Sequence, residues 1–444
     1  MSSSLSRLPV TPRVILVALN WTRDKDPRIP LGHASLLAAL REVGVAAASL
    51  CFHVNTPGFS PEVVTAAVRS LAGPGTSVAF GAYVWGEEAL QRILPLLRAD
   101  GFQGEIILGG PQISYAEPGV DALYPNGDVF IRGYAEQALV AHLRGDEAVE
   151  GVHRRGQVDR GQQVEVELDA LPSPWLTGAV PLEGQRFVRM ETQRGCPFRC
   201  TFCQHREAGA RLKRWDLDNV RVSEELALFQ RSGVREIAVL DPIFNASSQA
   251  VAALRHLQGL GYTGELSLQC RFEMLNEAFL DACEGLNVRL EFGLQTIHEA
   301  EWRAIQRRNR MAKVEAAMSA LRARGLRYEV SLIFGLPEQT LASFRESVAF
   351  CLARRVPVIR AFPLMLLRGT PLARDAARWE LVESGGAMPC VVASDRFSKS
   401  EWLQMARLSE ALKHTEGAHP GSLAGLERYT AAPELGRWSP QVAS

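Results

Sequence analysis

Three cysteines lie in the run Arg194-Gly195-Cys196-Pro197-Phe198-Arg199-Cys200-Thr201-Phe202-Cys203, spaced C-x3-C-x2-C. Thiolates at that spacing can ligate three irons of a four-iron, four-sulfur cluster and leave the fourth iron open to a small molecule. His205 follows so closely that Cys196, Cys200, Cys203 and His205 also read as a four-ligand structural zinc site, although zinc of that kind usually draws its ligands from two separated pairs. Buried structural thiols are the third reading. Three of the chain's eight cysteines within one turn-forming segment argue against it.

The elements around the cysteines narrow the choice. Phe187-Val188-Arg189-Met190-Glu191-Thr192 is short, mostly alternating and β-prone, so the cysteines sit on a loop leaving the C-terminal end of a strand. Parallel α/β sheets bind ligands at that end. Strand-like and helix-like stretches then alternate through 236–240, 266–270, 288–292, 328–334 and 356–364. With the first strand they make about six β/α units, fewer than a full eight-unit barrel.

With this loop, and with the aromatic Phe202 just before its last cysteine, the sequence resembles the radical S-adenosylmethionine (radical SAM) superfamily. The resemblance implies a partial (β/α)6 barrel open on one side and a [4Fe-4S] cluster on Cys196, Cys200 and Cys203. It also implies that SAM chelates the open iron through its amino and carboxylate groups, and that one electron cleaves it to methionine and a 5′-deoxyadenosyl radical. Later motifs are carried over by position. Asp241-Pro242-Ile243-Phe244-Asn245 takes the place of a Gly-Gly-Glu segment that holds the SAM amino group, without its glycines, so Asp241 is the expected contact. Glu291-Phe292-Gly293-Leu294-Gln295-Thr296 matches a fourth-strand pattern whose polar groups, Glu291 and Gln295, reach SAM. Ser331-Leu332-Ile333-Phe334-Gly335-Leu336-Pro337-Glu338 matches a fifth-strand pattern that lays backbone against adenine, with Ser331 and Gly335 as contacts. Each motif alone is ordinary punctuation at a strand end; their order behind the cysteines is what carries weight.

Residues 13–148 read as a second α/β domain. Short apolar runs at 14–18, 77–81, 105–108 and 128–131 suit buried parallel strands, and Leu36, Leu37, Leu40 and Val43, then Leu90, Ile93, Leu94 and Leu97, recur at helical spacing. A Rossmann-like layer follows. No G-x-G-x-x-G trails the first strand, which argues against a nicotinamide dinucleotide. The segment resembles the cobalamin-binding domain that precedes many radical SAM cores. The matching stretches are Pro30-Leu31-Gly32-His33, Gly81-Ala82-Tyr83-Val84-Trp85, Leu108-Gly109-Gly110-Pro111 and Arg132-Gly133-Tyr134-Ala135-Glu136. The resemblance implies that Gly109 and Gly110 let the backbone approach the cofactor's nucleotide tail, that Gly133 and Glu136 also contact cobalamin, and that Tyr83 and Trp85 face the corrin. Locally the glycines read equally well as tight turns. Proteins that give cobalt an imidazole carry D-x-H-x-x-G, whereas this chain has Asp26-Pro27-Arg28-Ile29-Pro30-Leu31. Cobalamin would therefore bind without a protein histidine on cobalt, or the domain is a relic that binds nothing.

Residues 149–185 read as a linker, 186–372 as the barrel and 373–444 as a helical C-terminal region that caps it. Lys plus Arg equals Asp plus Glu at 49 each, so no polybasic surface points to nucleic acid or an anionic membrane. No segment reads as a signal peptide or a membrane span, which fits a cytoplasmic enzyme with reduced thiols. The expected activity is a cobalamin-dependent methyl transfer to an unactivated carbon of a small biosynthetic substrate. The resemblance implies that one SAM methylates the cobalamin and that another yields the radical that abstracts hydrogen from the substrate. An electron donor of flavodoxin or ferredoxin type, or a dedicated reductase, is the implied partner. The alternatives are a cobalamin-free dehydration, deoxygenation or rearrangement, for instance of a sugar, and a non-catalytic zinc- or ligand-binding protein.

Overall fold

The computed structural model describes residues 11–23, 26–146, 148–205, 215–386 and 388–430. They fall into two compact units that divide between Glu183 and Gly184.

The first unit runs β1 (Val14–Asn20), α1 (Leu31–Glu42), β2 (Ala47–His53), α2 (Pro61–Leu71), β3 (Ser77–Gly81), α3 (Glu87–Ala99), β4 (Ile106–Gly109), α4 (Pro111–Ser114), α5 (Val120–Leu123), β5 (Val129–Ile131), α6 (Ala135–Arg144) and β6 (Val152–Arg154). Its sheet has the order β2-β1-β3-β4-β5-β6, parallel up to β5 and antiparallel at β6. The apolar run of β1 is buried on both faces because helices cover both. Leu90, Ile93, Leu94 and Leu97 make the buried stripe of α3, and Glu87 and Glu88 in its first turn complement the helix dipole. Chain order reverses at β1, between β2 and β3, and α/β sheets take ligands in the crevice outside such a switch point.

The sequence places a linker at 149–185, and the structure corrects that boundary. Residues 152–154 pair with β5, and Leu168, Leu171, Trp175 and Val180 are buried. The Pro- and Gly-rich composition hides this short strand and its scattered apolar anchors.

The second unit begins with β7 (Phe187–Met190) and a two-stranded ribbon of β8 (Gln193–Arg194) and β9 (Trp215–Asp216). It continues through α7 (Asn219–Arg231), β10 (Glu236–Val239), α8 (Ala250–Gly259), β11 (Glu265–Cys270), α9 (Glu277–Cys283), β12 (Asn287–Gln295), α10 (Glu299–Ala304), α11 (Met311–Ala323), β13 (Arg327–Phe334), α12 (Leu341–Ala353) and β14 (Val358–Pro363). Six strands form an all-parallel sheet in sequential order, β14-β13-β12-β11-β10-β7, the partial barrel that the β/α count anticipates. One face is apolar and buried, with Ile237, Leu266, Leu290, Phe292, Val330 and Leu332. The other is polar and carries Ser267, Arg289, Glu291 and Ser331. Near the N-terminal strand ends Arg289 pairs with Glu265 at 3.2 Å, Glu291 at 3.6 Å and Glu236 at 3.8 Å.

After β14 come α13 (Pro371–Arg374), the ribbon strands β15 (Val382–Glu383) and β16 (Val391–Ala393), α14 (Lys399–His414) and α15 (Leu423–Glu427). The region is thus not purely helical, and the last residues of the expected C-terminal domain, 431–444, lie outside the described ones. A capping box between Ser398 and Glu401 starts α14. Its Ser409 hydroxyl donates to the carbonyl of Ala361 at 2.7 Å, and His419 Nε2 accepts from the amide of Ile359 at 3.0 Å. These bonds occupy backbone groups that edge strand β14 would otherwise leave open.

Candidate active site

The cysteine loop leaves β7 and is pinned from three directions. Asp241, two residues beyond β10, accepts from the amides of Thr192 at 2.7 Å and Gln193 at 3.2 Å and from the Thr192 hydroxyl. Thr201, in the loop, donates its amide to the carbonyl of Ile305 at 3.0 Å, and its own carbonyl accepts from Leu372 at 3.0 Å. Gln204 donates to the carbonyl of Arg368 at 2.8 Å. The loop is therefore fixed by the strand ends and by the segment after β14, with Cys200 buried and Cys196, Phe202 and Cys203 half-buried.

Burial pushes the Cys203 thiol up to about 11 and raises that of Cys196, and neighbouring cysteine thiols add to both shifts. The low-dielectric setting keeps Cys196 and Cys203 protonated until a metal displaces the protons. Among the described residues no group of three or more His, Cys, Asp or Glu side chains is gathered as a single ion would need, and His205 is exposed. A larger cluster, touched by each thiol at a different iron, suits the donor set.

Beside the loop, the end of β12 is irregular. Its pairing with β13 slips between Gly293 and Gln295, and Gln295 has φ 67°, an unusual conformation for a residue other than glycine. The slip turns the Gln295 side-chain amide back over Gly293, where its nitrogen occupies the space a Cβ would take and Arg307 Nη2 lies 3.2 Å from that position. Arg307 Nη2 donates to the carbonyl of Gly293, and Nη1 stands 3.8 Å from Cys200 Sγ. Ser331 pairs with Gly293 in register. Gln295 Oε1, Arg307 Nε and Gln193 Oε1 are buried without hydrogen-bond partners. A free amide oxygen and a guanidinium edge next to three thiols are what an amino acid's ammonium and carboxylate require.

Gly335 follows β13 with φ 91°, and a Cβ there would come within 3.2 Å of the Val391 carbonyl in β16. Its amide donates to Gln339 Oε1 at 2.7 Å, while Gln339 Nε2 reaches Glu301 at 3.2 Å. The loop expected to meet adenine is thus held from beneath by a buried glutamine, and one side of Gly335 is covered by the C-terminal region.

Two expected contacts lie elsewhere. Asp241 is fully buried, and both its oxygens serve Thr192 and Gln193, so its carboxylate is occupied in positioning the cysteine loop. Glu291 accepts from Ser267 and faces Arg289. It lies four residues before Gln295, about 13 Å down the strand. Arg307, Arg271 and Gln193 were not anticipated, because Arg307 lies beyond a short helix with no periodic signal to mark it.

In the first unit Tyr83 and Trp85 stack with centroids 4.7 Å apart and planes 13° apart, and Trp85 Nε1 donates to the carbonyl of Leu19 at 2.9 Å. The pair therefore lies at the β1/β3 switch point. Gly109 is open on its Cβ side, with only the Ile131 carbonyl near, at 3.7 Å. Gly110, at φ 91°, abuts the Ala82 backbone at 2.9 Å, and Gly133 abuts that of Val164 at 2.6 Å. Both glycines are required by packing, as the turn reading expects. Glu136 is buried in the first turn of α6.

The Radical SAM superfamily profile matches residues 190–351. The chain is 25% identical over 330 residues to the cobalamin-dependent radical SAM methyltransferase TokK of Streptomyces tokunonensis, covering 66% of this chain and 47% of that one. It is 23% identical over 407 residues to the 2-(S-pantetheinyl)-carbapenam-3-carboxylate methyltransferase of Streptantibioticus cattleyicolor, covering 83% and 55%. The chain thus spans about half the length of these curated relatives. Among solved structures, the radical SAM methyltransferase TsrM of Kitasatospora setae superposes with a TM-score of 0.66 at 18% identity, covering 84% of this chain and 77% of that one. The cobalamin-dependent SAM radical enzyme OxsB superposes with a TM-score of 0.70 at 14% identity, covering 91% and 67%. Residues 190–351, which carry the cysteine loop at the C-terminal end of the parallel strands, thus match a radical SAM domain.

Proposed function

We propose that this protein is a cobalamin-dependent radical SAM methyltransferase acting on an unactivated carbon of a small biosynthetic substrate. The observation that carries the reading is the convergence of Cys196, Cys200 and Cys203 with Gln295 and Arg307 at one end of the six-stranded sheet. The first unit, with an aromatic pair at its switch point, and the relatedness to TokK support the cobalamin half. When bound, a four-iron cluster with SAM supplies a carbon-centred oxidant, and cobalamin supplies a methyl carrier. The residues do the rest. The three thiolates hold three irons, Gln295 Oε1 accepts from the SAM ammonium, and Arg307 takes its carboxylate. Ser331 and the Gly335 backbone border the nucleoside. Tyr83 and Trp85 offer a planar apolar surface to a corrin, and Gly109 leaves room for backbone approach. A one-electron donor of flavodoxin or ferredoxin class, or a dedicated reductase, completes the system in the cytoplasm.

Anaerobic reconstitution with iron and sulfide tests the reading. The protein should turn brown, the Cys196/Cys200/Cys203 triple alanine variant should stay colourless, and His205→Ala should keep its iron. Reduced protein with SAM should release 5′-deoxyadenosine, and hydroxocobalamin should bind in equilibrium titration. Deoxyadenosine without corrinoid binding would move the protein to the cobalamin-free reading; a stoichiometric zinc ion instead of iron would refute both.

A further inference from the structure

Arg271 follows β11, and its main chain is clamped by one side chain. Asn245 Oδ1 accepts from the Arg271 amide and Asn245 Nδ2 donates to the Arg271 carbonyl, both at 2.9 Å. The guanidinium lies over the ring of Phe198, 3.8 Å from its centroid, and Phe198 stands midway between Cys196 and Cys200. Arg271 is 6% exposed and Arg307 is 9% exposed. Burial and the nearby Arg307 both act against the Arg271 charge. Among the described residues the two cations have one carboxylate partner between them, Glu273, whose Oε2 is 3.3 Å from Arg271 Nε, while Arg307 pairs with none.

Two buried guanidinium groups with one carboxylate are short of negative charge, and the groups they face are the three cysteines. Three thiolates around an oxidised four-iron cluster form a singly negative unit, which becomes doubly negative when it takes one electron. A fixed cation nearby favours the more negative state, and more strongly where water is excluded.

We propose that Arg271, held over Phe198, acts with Arg307 as a cationic wall that raises the one-electron reduction potential of the cluster on Cys196, Cys200 and Cys203. The inference rests on the radical SAM reading above. The electron comes from an external one-electron donor, and no proton need move with it. Arg271 is a positioning and tuning residue; it is not a ligand.

The test is a redox titration of reconstituted protein without SAM, read by electron paramagnetic resonance, with iron and sulfide measured on every sample. Arg271→Gln with a full cluster should show a reduced-to-oxidised ratio at least tenfold lower at a given potential, ~59 mV downward for one electron. Arg271→Lys should recover most of the shift. Glu273→Gln, which removes the competing anion, should move the ratio the other way, a sign that a merely structural role does not predict. If Arg271→Gln fails to hold iron, Glu273→Gln decides alone. An unchanged ratio in fully loaded Arg271→Gln, or an unchanged or downward shift in Glu273→Gln, overturns the proposal. Wild type that assembles no four-iron cluster overturns the functional reading beneath it, a result distinct from an unmoved potential.

Discussion

Asp241 accepts both the amide and the hydroxyl of Thr192, tying the end of β10 to the chain that leads out of β7 toward Cys196. Three donors stabilise its charged form, yet complete burial outweighs them and pushes the carboxyl up to about 7. A carboxyl raised in the folded state above its unfolded value near 4 adds stability that is fully present below about pH 4. That stability is lost as pH rises toward 7. Asp241→Asn keeps the geometry, since its carbonyl can accept both amides while its NH2 donates to the Thr192 hydroxyl. The denaturation midpoint of the cluster-free wild type should therefore fall between pH 4.5 and 7 relative to Asp241→Asn. Parallel pH profiles for the two proteins would show that Asp241 does not titrate there.

Much of this was legible from the chain and some was not, for identifiable reasons. The cysteine spacing and the six β/α units read directly, because three thiols in eight residues and apolar runs separated by helical stripes are local signals. Glu291 was misplaced because sequence gives the face of a strand but not the depth: Glu291 and Gln295 share one face of β12, and only Gln295 lies at the cysteine end. Arg271 and Arg307 were invisible because an isolated arginine carries no pattern, and what marks them is the burial that folding imposes. The paired glycines look alike in sequence, yet Gly110 has a positive φ and abuts the Ala82 backbone whereas Gly109 does neither.

Gly335 and Val391 give a second prediction. A Cβ at Gly335 meets the Val391 carbonyl at 3.2 Å on a backbone with φ 91°, so Gly335→Ala should cost about 1–3 kcal/mol through backbone strain and crowding. Thermal unfolding of the second unit should shift down by about 2–4 °C for each kcal/mol. SAM affinity, read by equilibrium dialysis, should weaken along with it if the loop borders the nucleoside. A destabilised protein with unchanged affinity would separate Gly335 from the SAM site.

The two adjacent glycines at the end of β4 should behave oppositely. Gly110→Val drives a branched side chain into the Ala82 backbone at a left-handed position, and the first unit should lose its cooperative unfolding transition. Gly109→Val points into open space and should leave that transition within about 1 kcal/mol of wild type, while blocking the approach that a corrinoid tail needs. Hydroxocobalamin titration of folded Gly109→Val reads this directly. Undiminished binding would remove Gly109 from the cofactor's surroundings.

The last prediction concerns the metal of the corrinoid. Asp26-Pro27-Arg28 puts no imidazole at the position where a cobalt ligand is expected, and the histidines of the first unit are bonded or placed elsewhere. His33 Nε2 is bonded to Ser49 Oγ at 2.8 Å, and burial lowers its proton affinity to about 4. His53 Nδ1 is bonded to the Thr22 hydroxyl and His142 Nε2 to Glu105 at 3.0 Å, whereas His153, whose Nε2 is buried without a hydrogen-bond partner 3.9 Å from Asp121, lies on edge strand β6, away from the β1/β3 switch point. Pulling His33, His53 or His142 onto cobalt would sacrifice an existing hydrogen bond, at a cost of about 1–3 kcal/mol. The cobalt(II) state of the bound corrinoid should therefore show no nitrogen coupling from a protein histidine. Electron paramagnetic resonance of protein labelled with 15N-histidine settles the point. A coupling that changes with the label would establish a histidine ligand, and His53, at the end of β2 beside the switch point, would be the first residue to replace.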